Sequence, residues 1–142
     1  MNFPEECIRG AREDQIYLEN DNYIAGSNLF YFNKLDDPDS SGWKGNSINW
    51  KDDENAIEFT LNQEKNGKKQ FNAGAAIVPH TQLKKINRMP LVKGRLQFER
   101  DKLDDNPYHG NLLLGSNVTP RTMKVIAACI AAEVTEIVLQ NN

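Results

Sequence analysis

The sequence has little of the chemistry that marks several large classes of protein. Only two of its 142 residues are cysteines and two are histidines, and they form neither a CxxC pair nor a Cys/His cluster. We therefore expect no disulfide framework and no metal site, since both need such residues at regular spacing. Glycine-rich nucleotide motifs are also missing, so we expect no cofactor.

Long apolar runs and an excess of positive charge are missing too. The longest apolar stretch, residues 125–132, is far shorter than the ~20 residues that cross a bilayer, and the first residues have no apolar signal core. The formal net charge is −3, whereas a dedicated nucleic-acid binder carries a basic stripe. These features predict a cytoplasmic protein without a membrane or nucleic-acid partner.

The rest of the composition is that of an ordinary globular chain. Apolar residues make up 39% of the sequence and charged residues 26%. A chain of 142 residues suits one domain, whose core is large enough to fold without a metal or a disulfide. No repeat or linker divides the chain, so we expect a single domain over residues 1–142.

Hydrophobic periodicity predicts an α+β fold. Strands are predicted at residues 23–33, 47–50, 56–62, 71–78, 94–100 and 111–115. Residues 56–62, AIEFTLN, alternate strictly between apolar and polar, and Asn66-Gly67 predicts a hairpin that joins them to residues 71–78. Small residues in the latter strand indicate that a helix packs closely over it.

Two helices are expected beside these strands. Residues 79–89 form the first, which ends before Pro90. The second starts with Thr119 as N-cap and Pro120 at the first helical position, and an apolar stripe runs along it over residues 123–138. The expected fold is a largely antiparallel sheet of about five to six strands, packed by this long C-terminal helix and the short one. The long helix should cross a face formed by Ile57, Phe59, Leu61 and Leu96.

Residues 98–110, FERDKLDDNPYHG, hold the densest functional-group chemistry of the chain. They should connect the strands at 94–100 and 111–115 as a hairpin. Polar side chains at the end of the first strand would then face those at the start of the second.

His109 is the candidate acid/base of this segment, because its imidazole can take up or release a proton near neutral pH. Asp101 or Glu99 would orient the imidazole, and Arg100 would stabilise negative charge on a substrate. The alternative is an ordinary polar turn in which His109 packs against a neighbour or bonds to the strand end. His80, at a helix start, is expected at the surface or as a cap.

Aromatic and acidic side chains are candidates for a binding surface, since Trp and Tyr dominate protein interfaces. The candidate binding residues are Tyr108, Trp43, Asp104 and Asp105.

Three classes of function remain open. The missing catalytic motifs favour a small module that binds another protein, as an accessory or regulatory subunit, and a homo-oligomer is compatible with the sequence. The first alternative is a small hydrolase or phosphoesterase that uses His109. The second is a small-ligand sensor, which would require a cavity.

Overall fold

One antiparallel sheet organises the fold, and a computed structural model describes it over residues 3–34, 43–115 and 117–140. The strands are β1 (Glu6–Ala11), β2 (Ile16–Glu19), β3 (Asn22–Ala25), β4 (Asn33–Lys34), β5 (Lys44–Trp50), β6 (Glu64–Lys65), β7 (Lys68–Lys69), β8 (Gly74–Pro79), β9 (Leu96–Arg100), β10 (His109–Leu114) and β11 (Glu136–Leu139). The helices are α1 (Ala56–Asn62), α2 (His80–Asn87) and α3 (Pro120–Ala132).

Six strands form the sheet in the order β11-β8-β1-β5-β10-β9, and every neighbouring pair is antiparallel. The short β4 also pairs with β5, while β2–β3 and β6–β7 form separate hairpins. The predicted α+β fold, with an antiparallel sheet of five to six strands and a long C-terminal helix, is confirmed.

Helices α2 and α3 pack on one face of the sheet and enclose the main core. Val78 of β8, Leu83 of α2 and Ile130 of α3 are all fully buried in this core. The predicted start of α3 is confirmed, because the Thr119 hydroxyl accepts a hydrogen bond of 3.2 Å from the Thr122 N–H and Pro120 is the first helical residue. The helix therefore begins where its local sequence specifies.

Helix α1 covers part of the opposite face. Ala56 of α1 packs with Ile8 of β1 and Ala75 of β8, and all three are fully buried. The small side chains of β8 let α1 approach closely, as predicted. This helix covers only the β1–β8 side, and the β5–β10–β9 side of that face carries exposed and half-buried polar side chains.

The prediction that residues 56–62 form a strand is wrong, because these residues form α1. Asp53 accepts a hydrogen bond from the Asn55 N–H just before the helix, and the Thr60 hydroxyl donates to the Ala56 carbonyl one turn earlier. Alternating apolar residues also include pairs four apart, which lie on one side of a helix. Packing against the sheet selects the helical alternative, because β1 already occupies the place beside β8.

The predicted hairpin between residues 56–62 and 71–78 is therefore also wrong, although its turn is present. Asn66 and Gly67 adopt the left-handed conformation, with φ of 56° and 77°, as an Asn-Gly hairpin turn requires. The turn joins only the short β6 and β7. The long strand β8 pairs instead with β1 and β11.

The predicted apolar stripe over residues 123–138 is longer than the helix itself. Helix α3 ends at Ala132, and Ile137 and Val138 lie on β11, which pairs with β8 at the edge of the sheet. Helix α3 shares its core with Leu96, whereas Ile57 and Leu61 pack with the cluster on the opposite face. The predicted packing face is thus wrong, since three of its four residues belong to α1.

The N-terminal third differs most from prediction. Residues 6–11 form β1, a central strand of the sheet, although their polar pattern gave no strand signal. The predicted strand 23–33 is divided into β3, a short 3-10 helix at Ser27–Phe30 and β4. Gly26 marks the break, where the chain leaves the extended conformation of β3.

Candidate functional site

The predicted connection between the last two sheet strands places the candidate site. β9 and β10 pair as a hairpin, with Arg100 opposite Gly110 and Glu99 opposite Asn111. Beyond β9 the chain closes a tight turn, in which Leu103 and Asn106 exchange two backbone hydrogen bonds of 3.0 and 3.1 Å. Asp104 and Asp105 are the two central residues of that turn.

The strand register decides which side chains share a face of the sheet. His109 of β10 pairs with Asn49 of β5, and Asn111 pairs with Ser47. Because successive side chains alternate between faces, Ser47, Asn49 and His109 all lie on the face opposite α3. Arg100 pairs with Gly110, so its side chain belongs to the other face.

His109 makes contacts through both ring nitrogens. Its Nδ1 lies 2.9 Å from the backbone carbonyl oxygen of Asp101 and 3.5 Å from a carboxylate oxygen of the same residue. Its Nε2 lies 3.4 Å from the Oγ of Ser47. The structure thus places His109 between a carboxylate and a serine hydroxyl.

The Asp101 carbonyl determines the tautomer of this histidine. A carbonyl oxygen can only accept a hydrogen bond, so Nδ1 is the donor at 2.9 Å, and the Nε2 of a neutral imidazole is then an acceptor. The hydroxyl of Ser47 can therefore donate to Nε2. A serine beside a histidine that a third group orients is the arrangement of an activated nucleophile and its general base.

Buried amide side chains hold the loop before β10 against β5. The Asn106 Nδ2 donates to the Asn49 Oδ1 at 2.8 Å, and the Asn49 Nδ2 donates to the Thr60 Oγ1 and the Gln63 Oε1 at the same distance. The Asn106 Oδ1 accepts a hydrogen bond from the Tyr108 N–H. Because these polar groups are satisfied inside the protein, the network positions the loop and hence His109.

A polar groove of about 220 Å³ lies beside Ser47 and His109. Arg9 and Asp105 also line it, and the Arg9 guanidinium donates to the Ser47 carbonyl at 2.9 Å. Arg9 therefore brings positive charge to the groove. Within residues 3–34, 43–115 and 117–140, no three His, Cys, Asp or Glu side chains group closely enough to hold a metal ion.

Two predicted partners of His109 lie apart from it. The Arg100 guanidinium forms an ion pair with Asp52 on the other face of the sheet, so it does not reach the groove. The side chain of Glu99 lies on the same face as His109 but makes no hydrogen bond within the described part of the chain. Its backbone carbonyl accepts a hydrogen bond from the Trp50 indole. Of the predicted carboxylates, Asp101 is the one that contacts His109.

The predicted binding residues do not form one surface. Tyr108 donates a hydrogen bond of 2.9 Å to Asp53, and this bond raises the pKa of the phenol. Trp43 lies beside Gly115, about 20 Å along β5 from Asn49 at ~3.3 Å per residue. Asp104 is exposed at the turn, and Asp105 is the one of these four that lines the groove.

Two other reactive side chains lie away from the groove. His80 is half-buried among the rings of Phe3, Trp50 and Phe98, so the expected surface or capping role is wrong. Burial lowers its pKa, and Lys84 lowers it further. Cys7 is fully buried, which raises the pKa of its thiol to about 12 and removes it as a nucleophile at neutral pH.

The β2–β3 hairpin exposes an apolar surface that was not predicted from the sequence. Tyr17, Leu18, Tyr23 and Ile24 are 50%, 61%, 47% and 41% exposed. The signal for it was present in the sequence, since Asn20 and Asp21 separate two aromatic and aliphatic runs and both adopt the left-handed conformation. We call these four side chains the hairpin surface.

Ser47 and Arg9 were also not predicted as site residues from the sequence, because their roles depend on contacts across the sheet.

None of the helices in the described ranges is both long and apolar enough to cross a membrane. Comparisons with protein families, with curated proteins and with solved structures find nothing that matches the chain.

Proposed function

We propose that this protein functions by binding another protein through the hairpin surface. The observation that carries the proposal is the exposure of four large apolar side chains on eight strand residues. Single exposed apolar residues are ordinary, but a contiguous group of them marks an interaction site. Tyrosines are enriched among the residues that dominate binding energy.

The pairing of the two strands shows that both faces of the hairpin are apolar. Tyr17 pairs with Ile24, and Leu18 pairs with Tyr23. Residues that pair directly share a face, whereas consecutive residues lie on opposite faces. An ordinary solvated hairpin is apolar on its core side alone, so this one is suited to enter an apolar cleft that covers both faces.

The base of the hairpin is anchored to the rest of the protein. Ile16 is buried in the main core, and the Gly26 N–H donates a hydrogen bond of 2.8 Å to the Gln15 carbonyl. A hairpin held at its base loses less conformational freedom on binding than a free loop does. The partner that fits is a protein with an apolar cleft, in keeping with an accessory or regulatory subunit. A second copy of the chain is the other candidate.

The proposal can be tested with Leu18→Ser and Tyr23→Ser, using Leu103→Ser as a matched control. Leu103 is 43% exposed and lies in the turn beyond β9, away from the hairpin. The tagged protein should co-purify from its native source with one partner in fixed stoichiometry. Each hairpin variant should weaken that complex at least tenfold, because truncation of a hot-spot residue costs about 2 kcal/mol or more.

The control variant should keep wild-type affinity, and all variants should keep the wild-type unfolding midpoint. Light scattering of the purified protein distinguishes a second copy from a different partner. Recovery of no stable complex, or equal weakening by Leu103→Ser, would contradict the hairpin proposal.

Hydrolysis at Ser47 and His109 is a second candidate function, favoured by the tautomer that Asp101 imposes. The Ser47 Oγ would attack the carbonyl carbon of a small ester while Nε2 of His109 takes its proton. The leaving alcohol would then accept that proton, and water would hydrolyse the acyl-serine by the same route. The Ser47–His109 distance of 3.4 Å exceeds the ~2.6–3.2 Å of an engaged pair, as is common before substrate binds.

A fluorophosphonate probe tests this second candidate, because it labels only serines that a neighbouring base activates. Wild-type protein should be labelled at Ser47, and His109→Gln should reduce the labelling rate at least a hundredfold, the usual contribution of a general base. Ser27→Ala serves as the control, since Ser27 is an exposed serine outside the groove. Labelling that is absent in the wild type, or unchanged in His109→Gln, would exclude the hydrolase.

A further inference from the structure

A second cavity, of about 650 Å³, lies between β1, the 3-10 helix at Ser27–Phe30 and α3. Its described lining includes Arg9, Arg12 and Lys124, which come from three separate segments of the chain. The side chains of Asn28 and Tyr31 line the same cavity and offer neutral hydrogen-bonding groups. No carboxylate occurs among its described lining residues.

Arg9 enters this cavity because of an interruption in the sheet. β1 pairs with β5 only at Asn49 and Trp50, and β4 pairs with the same edge of β5 at Lys44 and Gly45. Between these two partners, the Arg9 guanidinium takes the place of a strand and donates to the Ser47 carbonyl. Arg9 thus lines both this cavity and the His109 groove.

The positive charge of Arg9 is not balanced by its two hydrogen-bond acceptors. Its Nε donates to the Leu29 carbonyl at 3.1 Å and its NH1 to the Ser47 carbonyl at 2.9 Å, and both acceptors are neutral. Burial and, to a smaller extent, the nearby charge of Arg12 lower the pKa of Arg9 to about 10. A bound anion would relieve both effects.

The other two cations are largely available to a ligand. Arg12 lies 3.8 Å from Asp14, but both side chains are more than half exposed, and such a pair contributes little. Lys124 is exposed on α3 and forms no ion pair with any residue that the structure describes. Arg12 and Lys124 can therefore turn toward a ligand at small cost.

We propose that this cavity binds the phosphate group of a small phosphorylated molecule, with Arg9, Arg12 and Lys124 as its cationic contacts. The planar guanidinium of arginine can donate two parallel hydrogen bonds to the oxygens of a phosphate, and the lysine ammonium adds a compact positive charge. The volume falls in the ~300–1,000 Å³ range of small-molecule sites, so it leaves room for an organic group beside Tyr31 and Asn28. This site is separate from the hairpin surface and does not depend on either function proposed above.

Isothermal titration calorimetry at constant ionic strength tests the site with two probes, inorganic phosphate and adenosine monophosphate. Both should bind with 1:1 stoichiometry, and the ester should bind at least tenfold more tightly than phosphate because its organic group fills the remaining volume. Arg12→Ala and Lys124→Ala should each weaken binding of both probes about tenfold or more, as expected for the loss of a charge-assisted contact.

Arg121→Ala is the matched control, since Arg121 is an exposed cation on α3 outside the described lining of the cavity. It should leave both affinities within twofold of the wild type. Heats no larger than those of added chloride, or equal weakening by Arg121→Ala, would overturn the phosphate site. An ester that binds no more tightly than phosphate would overturn the assignment to a phosphorylated organic molecule.

Discussion

Replacement of Ile130 by alanine should lower the free energy of unfolding by about 2–5 kcal/mol. Ile130 is 0% exposed on the face of α3 that packs against the sheet, where it shares the core with Leu112 of β10 and Val78 of β8. Removal of its side chain beyond Cβ takes away buried contacts and leaves a cavity that a well-packed core cannot fully close. Urea unfolding followed by circular dichroism measures the effect.

Val125→Ala provides the control in the same helix. Val125 is 45% exposed, so its truncation should change the free energy of unfolding by no more than about 0.5 kcal/mol. Similar losses for the two variants would mean that the buried face of α3 has been assigned incorrectly. A loss below about half a kcal/mol at Ile130 would lead to the same conclusion.

Gly110→Ala should destabilise the protein by about 1–3 kcal/mol or more. A Cβ at this position would clash with the Trp50 indole and with the backbone carbonyl of Glu99. Trp50 is fully buried, and its Nε1 donates to that same carbonyl, so neither neighbour can withdraw without breaking the pairing of β9 and β10. The absence of a side chain at Gly110 thus allows the Trp50 indole to pack directly against the strand.

Gly115→Ala is the matched control at the end of the same strand. A Cβ there would meet its nearest neighbours at 3.8 Å or more, which is ordinary contact, and we expect a change within about 0.5 kcal/mol. Thermal unfolding monitored by tryptophan fluorescence reports on both variants, because Trp50 contacts Gly110. A Gly110→Ala protein as stable as the control would contradict the close approach of the indole.

Local signals account for the elements that were predicted correctly. The start of α3 depends on Thr119 and Pro120, which act on backbone groups within one turn of themselves. The β9–β10 hairpin likewise joins two neighbouring segments through a short polar turn. Such interactions involve residues close in the chain, so they are visible in the sequence.

Residues 56–62 show why local pattern was insufficient elsewhere. Their alternation is compatible with a strand, yet the buried pair Ala56 and Thr60 lies one helical turn apart. The Asn49 amide, on the preceding strand β5, hydrogen-bonds to Thr60 and gives the helix a buried polar contact. Contacts with β1, β5 and β8 decide the conformation, and none of them is encoded within the segment itself.

The contacts of the candidate site also fall into those that are local in the sequence and those that are not. His109 and Asp101 are eight residues apart and meet across one hairpin, so their contact could be foreseen from the sequence. Ser47 is 62 residues from His109, and no feature of the sequence around it marks it as a partner. Arg100 was a reasonable candidate by position, but strand alternation puts it on the opposite face, and Arg9 supplies the positive charge beside Ser47 instead.

The amino-acid pattern is enough to predict the fold class, the start of the C-terminal helix, the turn at Asn66-Gly67 and the pairing of the strands around residues 98–110. The folded structure was needed to show that β1 is central, that residues 56–62 are helical and that Ser47 faces His109. It also brought the hairpin surface and the three cations of the second cavity together. The difference follows from the range of the interactions. Capping, turns and hairpins depend on neighbouring residues, whereas sheet order and shared faces depend on packing between separate segments of the chain.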